Sequence, residues 1–390
     1  MTDRQPRRLS DRQRLAWLRL IRSDNVGPSS FRQLISRFGS ADAALDALPG
    51  LTRRGGATKP LKIASVSEAE RELELAERLG VRFIAVGESD YPVLLQQVDN
   101  PPPLIAVKGS PAIFQRPGVA IVGGRAATAN GMRFTRSLAY DLGSAGLTIV
   151  SGLARGIDTA AHGGSIKTGT IAVFAGGLDR PYPPQNVALA DDIVAQGGAL
   201  VSEMPLGWSP RAIDFPRRNR LIAGLAYGLI VVEAAQRSGS LISARLAGEQ
   251  GRLVFAVPGS PIDKQSAGSN GLLKDGATMV TEADDVLRAI TPLIDQPMPP
   301  ISTPPRRNTP PPAATDEDPA LFESERDGLQ DDDQSRVLES LSSVPTDIDE
   351  IVRHTQLSTA QVQLVLLELQ LAGRIERHSG NAVSLLEAGV

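Results

Sequence analysis

Short apolar runs alternate with segments of helical spacing between residues 116 and 290. Each run is continuously apolar, which is typical of parallel strands covered by helices on both faces. Strands that alternate with helices in this way predict an α/β fold with a doubly wound, mostly parallel sheet. The predicted strands are Val119–Val122, Leu147–Val150, Ile171–Phe174, Ala199–Ser202, Leu229–Val232 and Leu253–Val257.

Helical spacing also marks residues 8–65, where the turn Asn25–Pro28 separates two predicted helices. The turn resembles that of a helix-hairpin-helix or sterile-alpha-motif-like unit, in which glycine lets the backbone approach a phosphate closely. An ordinary helical turn explains the same residues, because neither Lys nor Arg lies in the turn itself. We therefore expect a small helical domain at 8–65, followed by the sheet domain at 66–290.

The composition changes after residue 290. Ten of the 29 prolines fall within residues 292–319 and nine acidic residues within 316–333, so a disordered linker is predicted at 291–333. Residues 334–390 then show three apolar-periodic helices and two short strand patterns, which predict a winged-helix domain. A DNA contact and a protein contact both remain open for its third helix, which has no Lys or Arg and carries Gln361, Gln363, Glu368 and Gln370.

Charge and composition exclude several classes of protein. The 41 basic and 44 acidic residues give a net charge of −3, which excludes a polycationic coat protein but permits a local basic patch. With no cysteine in the chain, disulfides, thiolate nucleophiles and Cys-ligated zinc are impossible. Because the three histidines are far apart and neither a secretory signal nor a membrane-spanning apolar run is present, we expect a cytoplasmic protein without metal or cofactor.

The first candidate site follows the strand at 119–122. Gly123 and Gly124 would leave room for a phosphate against backbone amides, Arg125 would add a guanidinium fork, and Thr128 is a candidate helix N-cap. A tightly packed turn without a ligand is the alternative. The loop is not a G-x-G-x-x-G dinucleotide motif, and no acidic residue ends the next strand, so NAD is not expected.

Similar loops follow the other strands. Three arginines open a predicted helix beside Phe215, and Tyr182 is placed either to stack on a base or to anchor its loop. Asp158 and His162 share one helix face, where a cap or ion pair is favoured over acid–base catalysis. Because all these loops gather on one rim of a parallel sheet, they predict a cradle for a chain of phosphates. Its further candidate residues are Gly152, Arg155, Gly156, Gly176, Gly177, Arg217, Arg218, Asn219, Arg220, Ser238, Gly239 and Ser240.

Seven segments over roughly residues 105–290 resemble, in order, the successive blocks of the DprA/Smf family of bacterial DNA-processing proteins. They read VAIVGGR, SGLARGID, GGLDRPYPPQN, SEMPLG, FPRRNRLIAGLA, VVEAAQRSGSLISA and GRLVFAVPG. The resemblance implies an extended Rossmann-like fold and a homodimer. It also implies binding of single-stranded DNA without sequence preference and loading of the RecA recombinase during natural transformation, without catalysis.

By position, the same resemblance assigns strand binding to Arg125, the SGLARG loop, Arg218 and Arg220. Gly124 stands where the family more commonly has Ser, which removes a hydroxyl but keeps the backbone amides. The alternative function is a nucleotide phosphoribohydrolase of the LOG, lysine-decarboxylase-like type. In that type a catalytic Glu is needed where this chain has Ser243.

Overall fold

In a computed structural model of the protein, the structure describes residues 8–295, 331–378 and 380–386. Within these residues the chain forms two compact units that do not follow sequence order. The first unit contains residues 8–15 and 67–295, and the second contains 16–66 and 331–386. The helical segment near the start of the chain and the winged helix near its end are therefore parts of the same unit.

The first unit is built on a sheet of nine strands, counted over the described residues, in the order β1-β2-β6-β5-β4-β3-β7-β8-β9. Strands β3 to β9 are parallel to one another, whereas β1 pairs antiparallel with β2, and β2 pairs antiparallel with β6. This confirms the doubly wound, mostly parallel fold. The strands are β1 Val81–Ala85, β2 Leu104–Gly109, β3 Gly118–Gly123, β4 Thr148–Ser151, β5 Thr170–Val173, β6 Ala199–Ser202, β7 Gly228–Val232, β8 Leu253–Ala256 and β9 Thr278–Met279.

Helices cover both faces of this sheet, which explains why its central strands are apolar without alternation. One apolar core lies between the sheet and α9, where Leu221 and Ile222 are almost fully buried. The other lies between the sheet and α6 and α12, and contains Leu142 and Ile290. The helices of this unit are α4 Val66–Arg78, α5 Val93–Gln96, α6 Ala129–Ser144, α7 Ile157–Ser165, α8 Val187–Ala195, α9 Asp214–Gly224, α10 Gly239–Glu249, α11 Ala267–Lys274 and α12 Ala283–Ile294.

The second unit combines helices from both ends of the chain. Its C-terminal part has three helices and a three-stranded antiparallel sheet of order β10-β12-β11, which is the predicted winged helix. Its elements are α1 Asp11–Arg22, which begins in the first unit, α2 Pro28–Phe38, α3 Ala41–Arg54, α13 Asp331–Glu339, β10 Thr346–Asp347, α14 Ile348–Thr355, α15 Thr359–Leu371, β11 Ile375–His378 and β12 Ala382–Leu385.

The predicted linker, residues 291–333, is helical at both ends, because α12 continues to Ile294 and α13 begins at Asp331. The remainder of that prediction falls mainly on residues 296–330, which lie outside the described residues. In the described part of the chain, no helix is long and apolar enough to cross a membrane. Over the same residues, no group of three or more His, Asp or Glu side chains is placed to hold a metal ion.

Candidate nucleic-acid interface

Strands β3 and β7 are hydrogen-bonded neighbours. Successive strands are added on one side of β3 as β4, β5 and β6, and on the other side of β7 as β8 and β9, so the strand order reverses here. Such a reversal of strand order leaves a crevice beyond the carboxyl ends of the two strands. A cavity of about 690 Å³ lies there, between the loops after β3 and β7 and the first turns of α9 and α10. Eight residues predicted from the sequence line it: Gly123, Gly124, Arg125, Arg218, Asn219, Ser238, Gly239 and Ser240.

The glycines after β3 are required by the approach of neighbouring backbone. A Cβ atom on Gly123 would collide with the carbonyl of Val232, and one on Gly124 would lie 2.7 Å from the carbonyl of Glu233. The Gly124 carbonyl already accepts the amide of Ile157 at 3.2 Å. The two glycines therefore fit this loop against β7, and a serine at residue 124 would crowd that contact.

Thr128 caps α6 as predicted, and its side chain accepts the amide of Gly131 at 3.0 Å. The carboxylate of Glu233 accepts both the Thr128 amide, at 2.8 Å, and the Thr128 hydroxyl, at 2.5 Å. The start of α6 is thus occupied by a carboxylate of the protein itself. Sequence reasoning assigned no role to Glu233, although its place at the end of an apolar strand was a usable signal.

Arg218 is only 6% exposed and lines the cavity. Its Nη1 donates to the carbonyl oxygens of Gly152, at 2.5 Å, and Val173, at 2.8 Å, and its Nε has no hydrogen-bond partner among the described residues. Burial lowers the pKa of Arg218 to about 10, so the guanidinium remains charged at neutral pH. The nearby Asp158 carboxylate opposes the effect of burial on this pKa, and the Arg218 guanidinium adds positive charge to the cavity wall.

Two buried polar side chains, Asp158 and Asn186, hold the loop after β4. Asp158 accepts the amides of Gly152 and Ala154 at 3.1 and 3.2 Å, and Asn186 donates to the Leu153 carbonyl at 2.8 Å. Leu153 itself has a φ of +58°, a conformation that is unfavourable for a branched side chain. The hydrogen bonds of Asp158 and Asn186 stabilise this backbone conformation. The loop therefore keeps one conformation beside the cavity.

His162 is a third buried side chain that contacts the same loop. Its Nε2 accepts the Leu153 amide at 3.3 Å, and its Nδ1 lies 2.8 Å from the Thr170 hydroxyl, which donates to the Ile149 carbonyl. These contacts assign the proton of a neutral imidazole to Nδ1. Burial, together with the nearby Arg218 charge, lowers the pKa of His162 to about 3. Both side chains therefore have structural contacts, but the helix cap or ion pair expected from the sequence is not what the described residues form: α7 has no side-chain cap, Asp158 accepts loop amides, and His162 is neutral.

Two aromatic rings and an arginine meet beside the cavity mouth. The Tyr182 and Phe215 ring centroids are 5.7 Å apart in an edge-to-face arrangement, and the Arg125 guanidinium lies 5.3 Å from the Phe215 centroid. Tyr182 keeps 51% of its surface exposed. The sequence left open whether Tyr182 stacks on a base or anchors its loop, and folding brings it against Phe215 at a place that a base could reach.

The remaining predicted residues have different surroundings. Arg155 and Arg217 are exposed, and Arg155 lines a smaller hollow next to Tyr182. Arg220 forms an ion pair with Glu203. Three glycines serve close backbone packing: Gly156 faces the carbonyls of Gly124 and Arg125, and Gly176 and Gly177 face those of Trp208 and Pro205. Arg237, which sequence reasoning did not select, does line the cavity.

The charged residues of the cavity wall are three arginines, at 125, 218 and 237, and two acids, Asp158 and Glu233. Both carboxylates accept hydrogen bonds from the protein, whereas Arg125 and Arg237 are exposed. The wall is therefore weakly positive, and its exposed charges are basic. Together the fold and this wall define a Rossmann-like protein with a crevice at its topological switch point whose exposed charges are arginines.

Comparison with known proteins identifies the family. Residues 82–291 match the family described as DNA recombination-mediator protein A. Residues 11–74 match the DprA-like N-terminal HHH domain, and residues 305–381 match the DprA winged helix domain. The chain belongs to the DprA/Smf family, as the sequence blocks indicated.

Individual relatives agree with this assignment. The chain is 33% identical to Protein Smf of Synechocystis, over 93% of this chain and 96% of that protein. The X-ray structure of DprA from Streptococcus pneumoniae matches with a TM-score of 0.60 at 33% identity, over 72% of this chain and 98% of that one. A Helicobacter pylori DprA structure, described by its single-stranded DNA binding mode, matches with a TM-score of 0.50 at 29% identity, over 54% and 96%.

Proposed function

We propose that this protein binds single-stranded DNA without sequence preference through the β3–β7 cavity. We further propose that it loads RecA onto that strand for recombination during natural transformation. The observation that carries the proposal is the buried, incompletely hydrogen-bonded Arg218 in a cavity whose mouth holds exposed Arg125 beside Phe215. A phosphate at the mouth would meet the guanidinium fork of Arg125 and the positive charge of Arg218, and the adjoining base would meet the aromatic ring.

The expected binding mode follows from the chemistry of each group. Arg125 offers a guanidinium fork to a phosphate at the mouth, while Arg218 supplies positive charge from the wall. Phe215 and Tyr182, whose rings meet in an edge-to-face arrangement, offer aromatic surface to any base. Phosphates and base faces are common to all sequences, so this arrangement binds DNA without reading it.

Support for a single-stranded ligand comes from the H. pylori relative, which is described as binding single-stranded DNA. Stacking on Phe215 requires an unpaired base, because the faces of bases within a duplex are covered by their neighbours. RecA as the partner and a homodimer through the Rossmann-like domain are proposed from the family resemblance.

We propose binding without catalysis. The phosphoribohydrolase alternative needs a carboxylate near the loop 238–243, where this chain has the buried Ser243. The nearby Glu233 is hydrogen-bonded to Thr128 and holds the start of α6. A carboxylate engaged in this way is poorly placed to activate water. Incubation with AMP is expected to release no adenine, and steady release would overturn this part of the proposal.

The deciding experiment measures fluorescence anisotropy of a labelled thymidine oligonucleotide across salt concentrations. Arg125→Ala is expected to weaken binding and to reduce the slope of log K against log salt by about 0.7, the value for one neutralised phosphate on a single strand. Arg245→Ala is the matched control, because Arg245 is exposed on α10 and pairs with Glu249 outside the cavity. Equal losses in both variants would show that the cavity is not the site.

RecA loading is tested with the same variants. At a RecA concentration too low for spontaneous filament formation, the parent protein is expected to start filaments on the oligonucleotide and Arg125→Ala to start fewer. Sedimentation of the parent protein tests the homodimer. Binding that survives without any effect on RecA would retain the DNA site and reject the RecA partnership.

A further inference from the structure

The loop between β6 and α9, residues 203–213, carries an arginine that lies on a tryptophan. The Arg211 guanidinium is 4.4 Å from the centroid of the Trp208 ring. A cation at this distance from an aromatic face is attracted by the negative charge of the ring face. The Arg211 side chain nevertheless remains 59% exposed. The guanidinium is therefore held against the indole while much of the side chain stays open to solvent.

The Asp214 carboxylate fixes these two side chains relative to each other. Its Oδ2 accepts the indole Nε1–H of Trp208 and the backbone amide of Arg211, both at 2.9 Å, and lies 3.4 Å from the Arg211 Nε. Burial acts to raise the pKa of Asp214, but the hydrogen bonds from Trp208 and Arg211 outweigh it and lower the pKa. The carboxylate is therefore ionised at neutral pH and holds both donors in place.

Backbone hydrogen bonds attach the same loop to its neighbour on the rim of the sheet. The carbonyl of Trp208 accepts the amide of Gly177, in the loop after β5, at 2.9 Å. Asp179, from that neighbouring loop, accepts the amide of Gly207 at 2.7 Å. The position of the indole is thus set before any ligand arrives, so little conformational entropy is lost when one binds.

The Arg211–Trp208 pair lies close to the mouth of the β3–β7 cavity. Ala212, the next residue after Arg211, lines the cavity. Arg211 and Phe215 are four residues apart, so their Cα atoms are separated by no more than about 14 Å. A stacked single strand advances about 3.4 Å per nucleotide. Two bases within about four nucleotides of each other can therefore reach Phe215 and Arg211 at the same time.

We propose that Arg211, supported by Trp208, is a second stacking site for an unpaired base of the DNA strand held in the cavity. The base lies on the guanidinium face that is turned away from the indole, since guanidinium planes stack on unpaired bases as aromatic rings do. This proposal rests on the proposed function, because the cavity supplies the first anchor of the strand. Every base has a face that can stack, so the second site adds affinity for unpaired strands without reading their sequence.

Arg211→Lys separates stacking from charge, because lysine keeps the positive charge and lacks the guanidinium plane. Binding of a twelve-residue thymidine oligonucleotide is expected to weaken about three- to tenfold, the effect of losing one exposed stacking contact. Arg288→Lys is the matched control. Arg288 is 73% exposed on α12 and pairs with Asp285 three residues away, as Arg211 pairs with Asp214. The control is expected to bind as the parent does.

Trp208→Leu removes the support of the guanidinium by a second route and is expected to weaken binding in the same direction, with thermal unfolding as the check that the variant is folded. A twelve-residue strand without bases tests the mechanism, because its binding should be the same in the parent and in Arg211→Lys. If Arg211→Lys and a folded Trp208→Leu both bound the thymidine strand as tightly as the parent, the second stacking site would be wrong. An equal loss with the baseless strand would also reject it.

Trp208 itself reports occupancy of the site. The chain has two tryptophans, and the other one, Trp17, packs on Phe31 in the core of the second unit, so Trp17→Phe leaves Trp208 as the single emitter. Saturation with the thymidine strand is expected to change the Trp208 emission, because a base on Arg211 displaces water from the pair, and the baseless strand is not.

Anisotropy of the labelled strands distinguishes the two proposals. A thymidine strand that binds and leaves the Trp208 emission unchanged would overturn the second stacking site, and the cavity would remain the DNA site. Failure of the parent protein to bind either strand would instead reject the proposed function itself.

Discussion

The Glu233 carboxylate holds Thr128, 105 residues earlier in the chain, with its Oε2 2.8 Å from the Thr128 amide. The contact joins the loop after β7 to the start of α6 across the switch point. It also places one negative charge in the wall of a cavity proposed to hold phosphate. Glu233 has a φ of +49°, so the loop keeps an unfavourable backbone conformation at this residue.

Replacing Glu233 separates its two effects. Glu233→Gln is expected to destabilise the protein by about 1 kcal/mol, because a helix start loses a charged acceptor. The same variant is expected to bind single-stranded DNA roughly two- to fivefold more tightly at low salt, since a nearby negative charge is removed. Thermal unfolding and anisotropy measure the two effects. Weaker DNA binding by a folded Glu233→Gln would show that the carboxylate helps to shape the site.

Phe215 is expected to stack on a base. Phe215→Ala should weaken binding by about 1–3 kcal/mol, roughly 5- to 150-fold, whereas Phe215→Tyr should bind nearly as the parent does. An oligonucleotide that lacks bases provides the control, because its binding should be insensitive to Phe215→Ala. If the baseless strand lost as much affinity as the normal one, Phe215 would be acting through Arg125, whose guanidinium lies against the same ring.

Arg218 and Arg125 should differ in stability as well as in binding. Arg218→Ala leaves the carbonyls of Gly152 and Val173 without their donor and is expected to destabilise the fold by about 2–5 kcal/mol. Arg125 is exposed, so Arg125→Ala is expected to change stability by less than about 0.5 kcal/mol. Calorimetry of both variants checks this difference. Similar melting temperatures for the two would contradict the buried contacts of Arg218.

His162 makes stability depend on pH. Its pKa is about 3 in the folded protein and near 6.5 in the unfolded chain, so the unfolded state binds more protons between these values. The contribution of neutral His162 is therefore complete above about pH 6.5 and is lost as the pH falls towards 3. Burial raises the pKa of Asp158, which gives the opposite slope in part of the same range.

Urea unfolding between pH 4 and 8 tests the sign. The free energy of unfolding is expected to fall more steeply with decreasing pH in the parent than in His162→Gln, which cannot titrate. The difference between the two proteins removes the contribution of Asp158 and other carboxylates. Parallel curves would mean that the imidazole does not have the depressed pKa that its burial implies.

Much of the first unit was predictable from sequence. All six predicted central strands are present, and each end lies within one residue of the prediction. Uninterrupted apolar runs of this length, bounded by glycine and polar residues, strongly favour buried strands. The gathering of Gly123, Gly124, Arg125 and the 238–240 loop around one cavity was predictable too. Carboxyl ends of parallel strands share one edge of a sheet, whatever the details of packing.

The surroundings of the individual arginines in α9 were not predictable from the sequence. Arg217, Arg218 and Arg220 are close in sequence, yet the first is exposed, the second is buried against carbonyls and the third pairs with Glu203. A helix turns about 100° per residue, so adjacent side chains face different surroundings. Which surroundings each meets depends on the strands beneath the helix, and no local pattern encodes that.

The sequence by itself determined the order of strands and helices, the glycine and arginine loops and the three family domains, because these depend on local periodicity and residue type. Only the tertiary structure decided that Glu233 occupies the α6 start and that Tyr182 meets Phe215. It alone also decided that α15 is enclosed by helices from the other end of the chain. These relations join residues far apart in sequence, and they exist only once the register of the sheet and the packing of the cores are set.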